Sequence, residues 1–154
     1  MRIIFILLIF TLNSYTDSSK DLNIFFNNEL SYIQSTQDKL NNVFEVSKGT
    51  YIKNTDNSIF IEVNEPFKET YLINNNEIKI HDLEFNQVKT MPLDKMNENF
   101  LINFLINGFP ENFKNQIKEK EIEFFIDFIN KNTLKIKFKD NMEIENIIQF
   151  KKND

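Results

Sequence analysis

The chain has 154 residues, a net charge of −5 and no cysteine. That length fits one domain with a core of its own, and the missing thiols exclude disulfide staples, thiolate catalysis, the usual zinc sites and a lipid-modified N-terminal cysteine. Arg2 is the only arginine, and an acidic chain is poorly suited to phosphate backbones, whose binding is dominated by cationic neutralisation, so nucleic acid is not an expected partner.

The segment MRIIFILLIFTLNSYTDSS places one cation before an unbroken apolar run, Ile3 to Phe10, followed by small and polar residues. This is the layout of a secretory signal peptide, too short to span a bilayer, and it predicts export with cleavage anywhere from Thr16 to Ser19. Residues 1–16 are therefore read as the signal and 17–154 as one continuous domain. Loss of Arg2 leaves the mature chain one unit more negative.

Leu22, Phe25, Phe26, Leu30 and Ile33 recur at helical spacing, which predicts an amphipathic helix from Asp21 to Gln34 with Asp21 as its N-cap. The period then falls to two. Strands are expected at Leu40 to Val46, Thr50 to Lys53, Ser58 to Val63, Thr70 to Ile73, Ile78 to His81 and Gln87 to Thr90, punctuated by Pro66 and by Asn74-Asn75-Asn76, where asparagine tolerates left-handed turns. From Pro92 to Asn107 the helical period returns with Leu93, Met96, Phe100, Leu101, Phe104 and Leu105, and Gly108 and Pro110 end it. The last third reads as strands: Glu121 to Ile129 and Thr133 to Lys139 form a hairpin across Asn130-Lys131-Asn132, followed by Met142 to Phe150. In TLKIKFK, Leu134, Ile136 and Phe138 share one face and three lysines the other, so one face of the sheet is wet.

The predicted fold is thus α+β: an antiparallel sheet of about nine strands that must curl, since strands twist and long open sheets coil or close. Two helices laid across its apolar concave face make an incomplete barrel with a lid.

Three features bear on chemistry. His81-Asp82 could be a reactive pair, but no nucleophile motif or phosphate loop stands ready to use it, so it reads as a half-exposed histidine at a strand end. Glu119, Glu121 and Glu123, like Glu143 and Glu145, fall at spacing two; on strands opposite Lys135, Lys137 and Lys139 they read as a solvated charge ladder rather than a catalytic or calcium-binding set. The 17 phenylalanines must either fill a core or line a cavity for an aliphatic ligand, and composition does not separate the two.

Spacing also carries a resemblance. Gly49, Pro66, Asn74-Asn75, Ile78, His81-Asp82 and Gln87 fall on the pattern of the LolA family, the periplasmic carriers that move lipoproteins from the inner to the outer membrane. The order of signal, helix, strands, lid helix and strands is similar to that family too. The resemblance implies an incomplete barrel whose apolar cavity holds acyl chains, with no enzymatic activity and no cofactor. It also implies a monomer that takes acylated lipoproteins from an ATP-driven inner-membrane complex and delivers them to a LolB-like receptor. Candidate cavity and lid residues are Phe25, Phe26, Phe60, Ile61, Leu72, Ile80, Phe100, Leu101, Phe104, Phe124 and Phe138. The chain departs from the pattern where the family has an Arg-Pro pair thought to hold the lid; here the stretch is KNTD, Lys53 to Asp56. The other readings are a ligand-free secreted interaction or assembly domain and a general carrier of amphiphiles.

Overall fold

The computed structural model describes residues 18–38, 43–93, 100–140 and 143–153. The segment expected to be a signal peptide lies outside the described residues.

Helix α1 (Ser19–Phe26) starts at Ser18, whose hydroxyl accepts the amide of Asp21 at 3.1 Å. Asp21 lies in the first turn and is not the cap. Nor does the helix reach Gln34: Asn28 Nδ2 donates to the carbonyls of Ile24 and Phe25, closing the last turn, and strand β1 (Leu30–Asp38) follows at once. Leu30 fits both periods, which is why the helical count ran on; burial of Leu30 and Tyr32 with exposure of Ile33 marks the switch to period two.

Strand β2 (Val43–Lys53) is one element where two were expected, continuing through Gly49. It begins an antiparallel meander with β3 (Ile59–Glu65), β4 (Glu69–Ile73), β5 (Glu77–Asp82) and β6 (Gln87–Pro92). Side chains build the turns. Asp56 Oδ1 accepts the amide and hydroxyl of Ser58, and Asn74 Oδ1 accepts the amides of Asn76 and Glu77. Asn74 to Asn76 therefore work through an Asx turn, and none of them takes a left-handed backbone.

Helix α2 (Phe100–Asn107) is the described end of the expected second helix; Pro92, where that helix was expected to start, is the last residue of β6, and residues 94–99, Met96 among them, lie outside the described residues. Gly108, at φ 84, ends it in the left-handed region. A third helix, α3 (Phe113–Glu119), was not anticipated; it buries Phe113 and Ile117, one turn apart. Glu119 is thus helical and Glu121 sits in a left-handed turn, so the acidic run does not lie on one strand face.

Strands β7 (Phe124–Asn130), β8 (Thr133–Lys139) and β9 (Glu145–Lys152) complete a nine-stranded antiparallel sheet in the order β6-β5-β4-β3-β2-β1-β9-β8-β7. β1 pairs with β2 on one side and β9 on the other, joining the two meanders. The sheet curls without closing, and the chain passes from edge strand β6 to edge strand β7 through α2 and α3, which lie over the concave face. On the convex face a charge ladder does form: Lys137 meets Glu145 at 2.9 Å and Lys139 meets Glu123 at 2.8 Å.

Aromatic rings fill one end of the curl. Phe26 packs against Phe25, Tyr51, Phe109 and Phe150, with centroids 5.2–5.7 Å apart. Phe104 continues the cluster to Phe109, Phe113 and Phe124. Asn23 ties α1 to the loop after α2 by both ends of its amide, accepting from Phe109 N at 2.7 Å and donating to Phe109 O at 3.0 Å.

Candidate ligand-binding cavity

Cross-strand register decides which side chains meet on the concave face. Tyr51 opposes Ile61, Ile61 opposes Tyr71, and Tyr71 opposes Ile80; the next row runs Ile59, Ile73, Ile78, Met91. These rows are the floor of a cavity of about 430 Å³. Its roof is α2, through Leu101, Ile102 and Leu105, and its far wall is Phe138, Ile148 and Phe150. Its polar lining residues are Tyr32, Gln34, Ser47, Tyr51 and Tyr71, and none of the described residues lining the space is charged. The volume lies within the range of about 300–1,000 Å³ usual for small-molecule sites, and a wall this apolar favours an aliphatic occupant.

The aromatic cluster fills the rest of the concave face, so phenylalanine mostly makes core here. Of the expected site residues, Ile61, Ile80, Leu101 and Phe138 line the cavity. Phe25, Phe26, Phe104 and Phe124 are buried among other rings and do not line it; Phe100 is half-buried against Phe104, with the Lys120 ammonium over its ring. Phe60 and Leu72 are on the wrong side of the sheet: they oppose each other in the period-two positions that face away, and Leu72 is 39% exposed. What the expectation missed is the rest of the aliphatic floor, Ile59, Val63, Ile73, Ile78 and Met91, and the three tyrosines. Alternation in SIFIEV, with Ile59, Ile61 and Val63 on one face, was the available signal.

The tyrosines sit in a low-polarity wall. Burial pushes all three phenols above the ordinary value; for Tyr71 a hydrogen bond to Glu69 adds to the effect, and for Tyr32 a bond from Ser47 opposes it.

Lys53 closes one end of the roof. Its Nζ donates to the carbonyl oxygens of Leu105 at 2.8 Å and Ile106 at 3.1 Å, in the last turn of α2. Helix C-terminal carbonyls lack partners within the helix and carry partial negative charge, so a cation is favoured there. Partial burial of the ammonium lowers its pKa below the usual lysine value.

His81 and Asp82 are occupied by their own turn. His81 Nε2 lies 3.1 Å from Asn86 Oδ1, and Asp82 Oδ1 accepts the amides of Glu84 and Phe85. His81 points away from the cavity, opposing Thr70 and Val88. Among the described residues no cluster of three His, Asp or Glu side chains is placed to hold a metal ion.

Fold and cavity together define an unclosed antiparallel half-barrel with helices over an apolar concave face. No protein-family model matches the chain, and no curated protein matches it.

Proposed function

We propose that the protein is a LolA-like carrier that shelters the acyl chains of lipoproteins beneath α2. In this reading it is exported to the periplasm, takes cargo from an ATP-driven inner-membrane complex and passes it to an outer-membrane receptor. The observation that carries the reading is the uncharged cavity of about 430 Å³ between the curled sheet and one helix. Each buried methylene contributes about 0.8 kcal/mol, so ten of them supply roughly 8 kcal/mol to set against the several kcal/mol that association costs. No directional chemistry is required.

Lys53 supports the same reading from the side of release. It stands in the stretch where the family pattern has its Arg, and its ammonium meets the end of the roof helix. An ammonium contributes point-charge hydrogen bonds, not the planar fork of a guanidinium, and such a latch is strong enough to close the roof and weak enough to yield.

Native mass spectrometry of the exported protein, followed by lipid extraction, tests the proposal. We expect acylated species to co-purify and to be displaced by an uncharged apolar fluorophore. Failure of both would remove the carrier reading and leave a ligand-free interaction domain; co-purification of free lipids alone would make it a general carrier of amphiphiles.

A further inference from the structure

The three tyrosines of the cavity wall differ in what their hydroxyls meet. Tyr71 Oη donates to Glu69 Oε2 at 2.5 Å, and Tyr32 is hydrogen-bonded by Ser47. Tyr51 is 1% exposed, its ring held edge-on by Phe26 and Phe150, and its Oη is buried with no hydrogen-bond partner among the described residues. Phenylalanine would fill that place without an unsatisfied group, in a chain that uses phenylalanine 17 times. Buried hydroxyls in native proteins are nearly always paired; this one has under 1 Å² of accessible surface, so a ligand reaches it only by parting the side chains that cover it, and an orphan beside a cavity calls for a partner that arrives in that way.

We propose that Tyr51 Oη donates a hydrogen bond to the carbonyl oxygen of an uncharged acyl ester held in the cavity, fixing how far the chain slides in. The inference rests on the carrier reading and adds the polar contact that reading lacks. A neutral ester suits the wall better than a fatty carboxylate. None of the described lining residues is charged, and the nearby Lys53 ammonium is engaged by the carbonyls of α2, so a buried carboxylate would have no counter-ion. Burial keeps the phenol protonated, hence a donor, across the physiological range.

The test compares Tyr51→Phe with the wild-type chain by displacement of N-phenyl-1-naphthylamine, using methyl decanoate, dodecane of matching backbone length, and decanoate. The variant should bind methyl decanoate about five- to tenfold more weakly, the worth of one net hydrogen bond, with dodecane changed less than twofold and the thermal midpoint unchanged or higher. Decanoate at pH 8 should bind the wild type more weakly than its methyl ester. An ester affinity insensitive to the substitution, or equal losses for ester and alkane, would overturn the role of Tyr51 while leaving the carrier reading in place. Tighter binding of decanoate than of the ester would overturn the choice of an uncharged ligand. Failure of every ligand to displace the fluorophore would overturn both readings. As a second measurement on the wild type alone, the carbonyl infrared stretch of isotope-labelled methyl decanoate in the bound state should lie below that of the ester in an alkane solvent, and a band at the alkane frequency would count against the hydrogen bond.

Discussion

Gly49 has no room for a side chain. A Cβ there would stand 1.9 Å from the carbonyl oxygen of Glu62 and 2.9 Å from the Tyr32 ring, at the point where the β2–β3 register shifts to take up Asn64. Backbone crowding of this kind has no cheap relief, so Gly49→Ala should destabilise the protein by roughly 2–3 kcal/mol, read as a lower urea midpoint. An unchanged midpoint would mean that the two strands separate more easily than the register indicates. Single residues of this type were only partly legible. Gly49 is conspicuous in a chain with two glycines, but it reads as punctuation between short strands until the Tyr32 ring is seen lying across it. Asn74 was legible as part of a turn, though it acts through its side chain and not through a left-handed backbone. Asp82, read only beside His81, proves to build its turn in the same way, a short polar side chain reaching its own backbone two or three residues on.

At the scale of elements, α2 is a helix whose sequence is apolar almost all round, and such a helix must be covered or must cover something. Here Leu101 and Leu105 face the cavity while Phe104 faces Phe109, Phe113 and Phe124. Lys53 pins the end of that helix. Replacing it by methionine keeps the bulk and removes the charge-assisted bonds, so stopped-flow release of a bound apolar fluorophore should quicken about three- to tenfold at a stability cost of about 1 kcal/mol. Lys53→Arg should restore slow release. Release rates equal in all three proteins would remove the latch. Strand β8 was legible to the residue, since TLKIKFK alternates without interruption and each position has one environment. β1 was not, because Leu30 serves a helical and a strand period equally well, and only pairing with β2 on one side and β9 on the other decides between them. α3 escaped because two apolar positions one turn apart are too few to carry a periodic signal.

For the molecule as a whole, the sheet has two sides with different duties, and substitution separates them. Phe104 is 5% exposed in the packed end of the concave side, so Phe104→Ala should cost about 3–5 kcal/mol in chemical denaturation; this residue is core before it is lid. Leu72→Ser, on the convex side, should change stability by less than about 1 kcal/mol and leave fluorophore binding intact. If Leu72→Ser abolished binding, the assignment of faces would be wrong. The sequence by itself determined the class of structure: the succession of periods, 2.0 and 3.6, dictated an antiparallel sheet with helices and an apolar side to cover, because side-chain direction follows backbone repeat. Only the tertiary structure decided where the concave face leaves space and where it is filled. That outcome depends on register across nine strands, which sets Ile61 inward and its neighbour Phe60 outward, and on the passage of α2 and α3 from one edge to the other. A cavity is what remains when those long-range distances exceed the reach of the side chains, and no local stretch of sequence contains that difference.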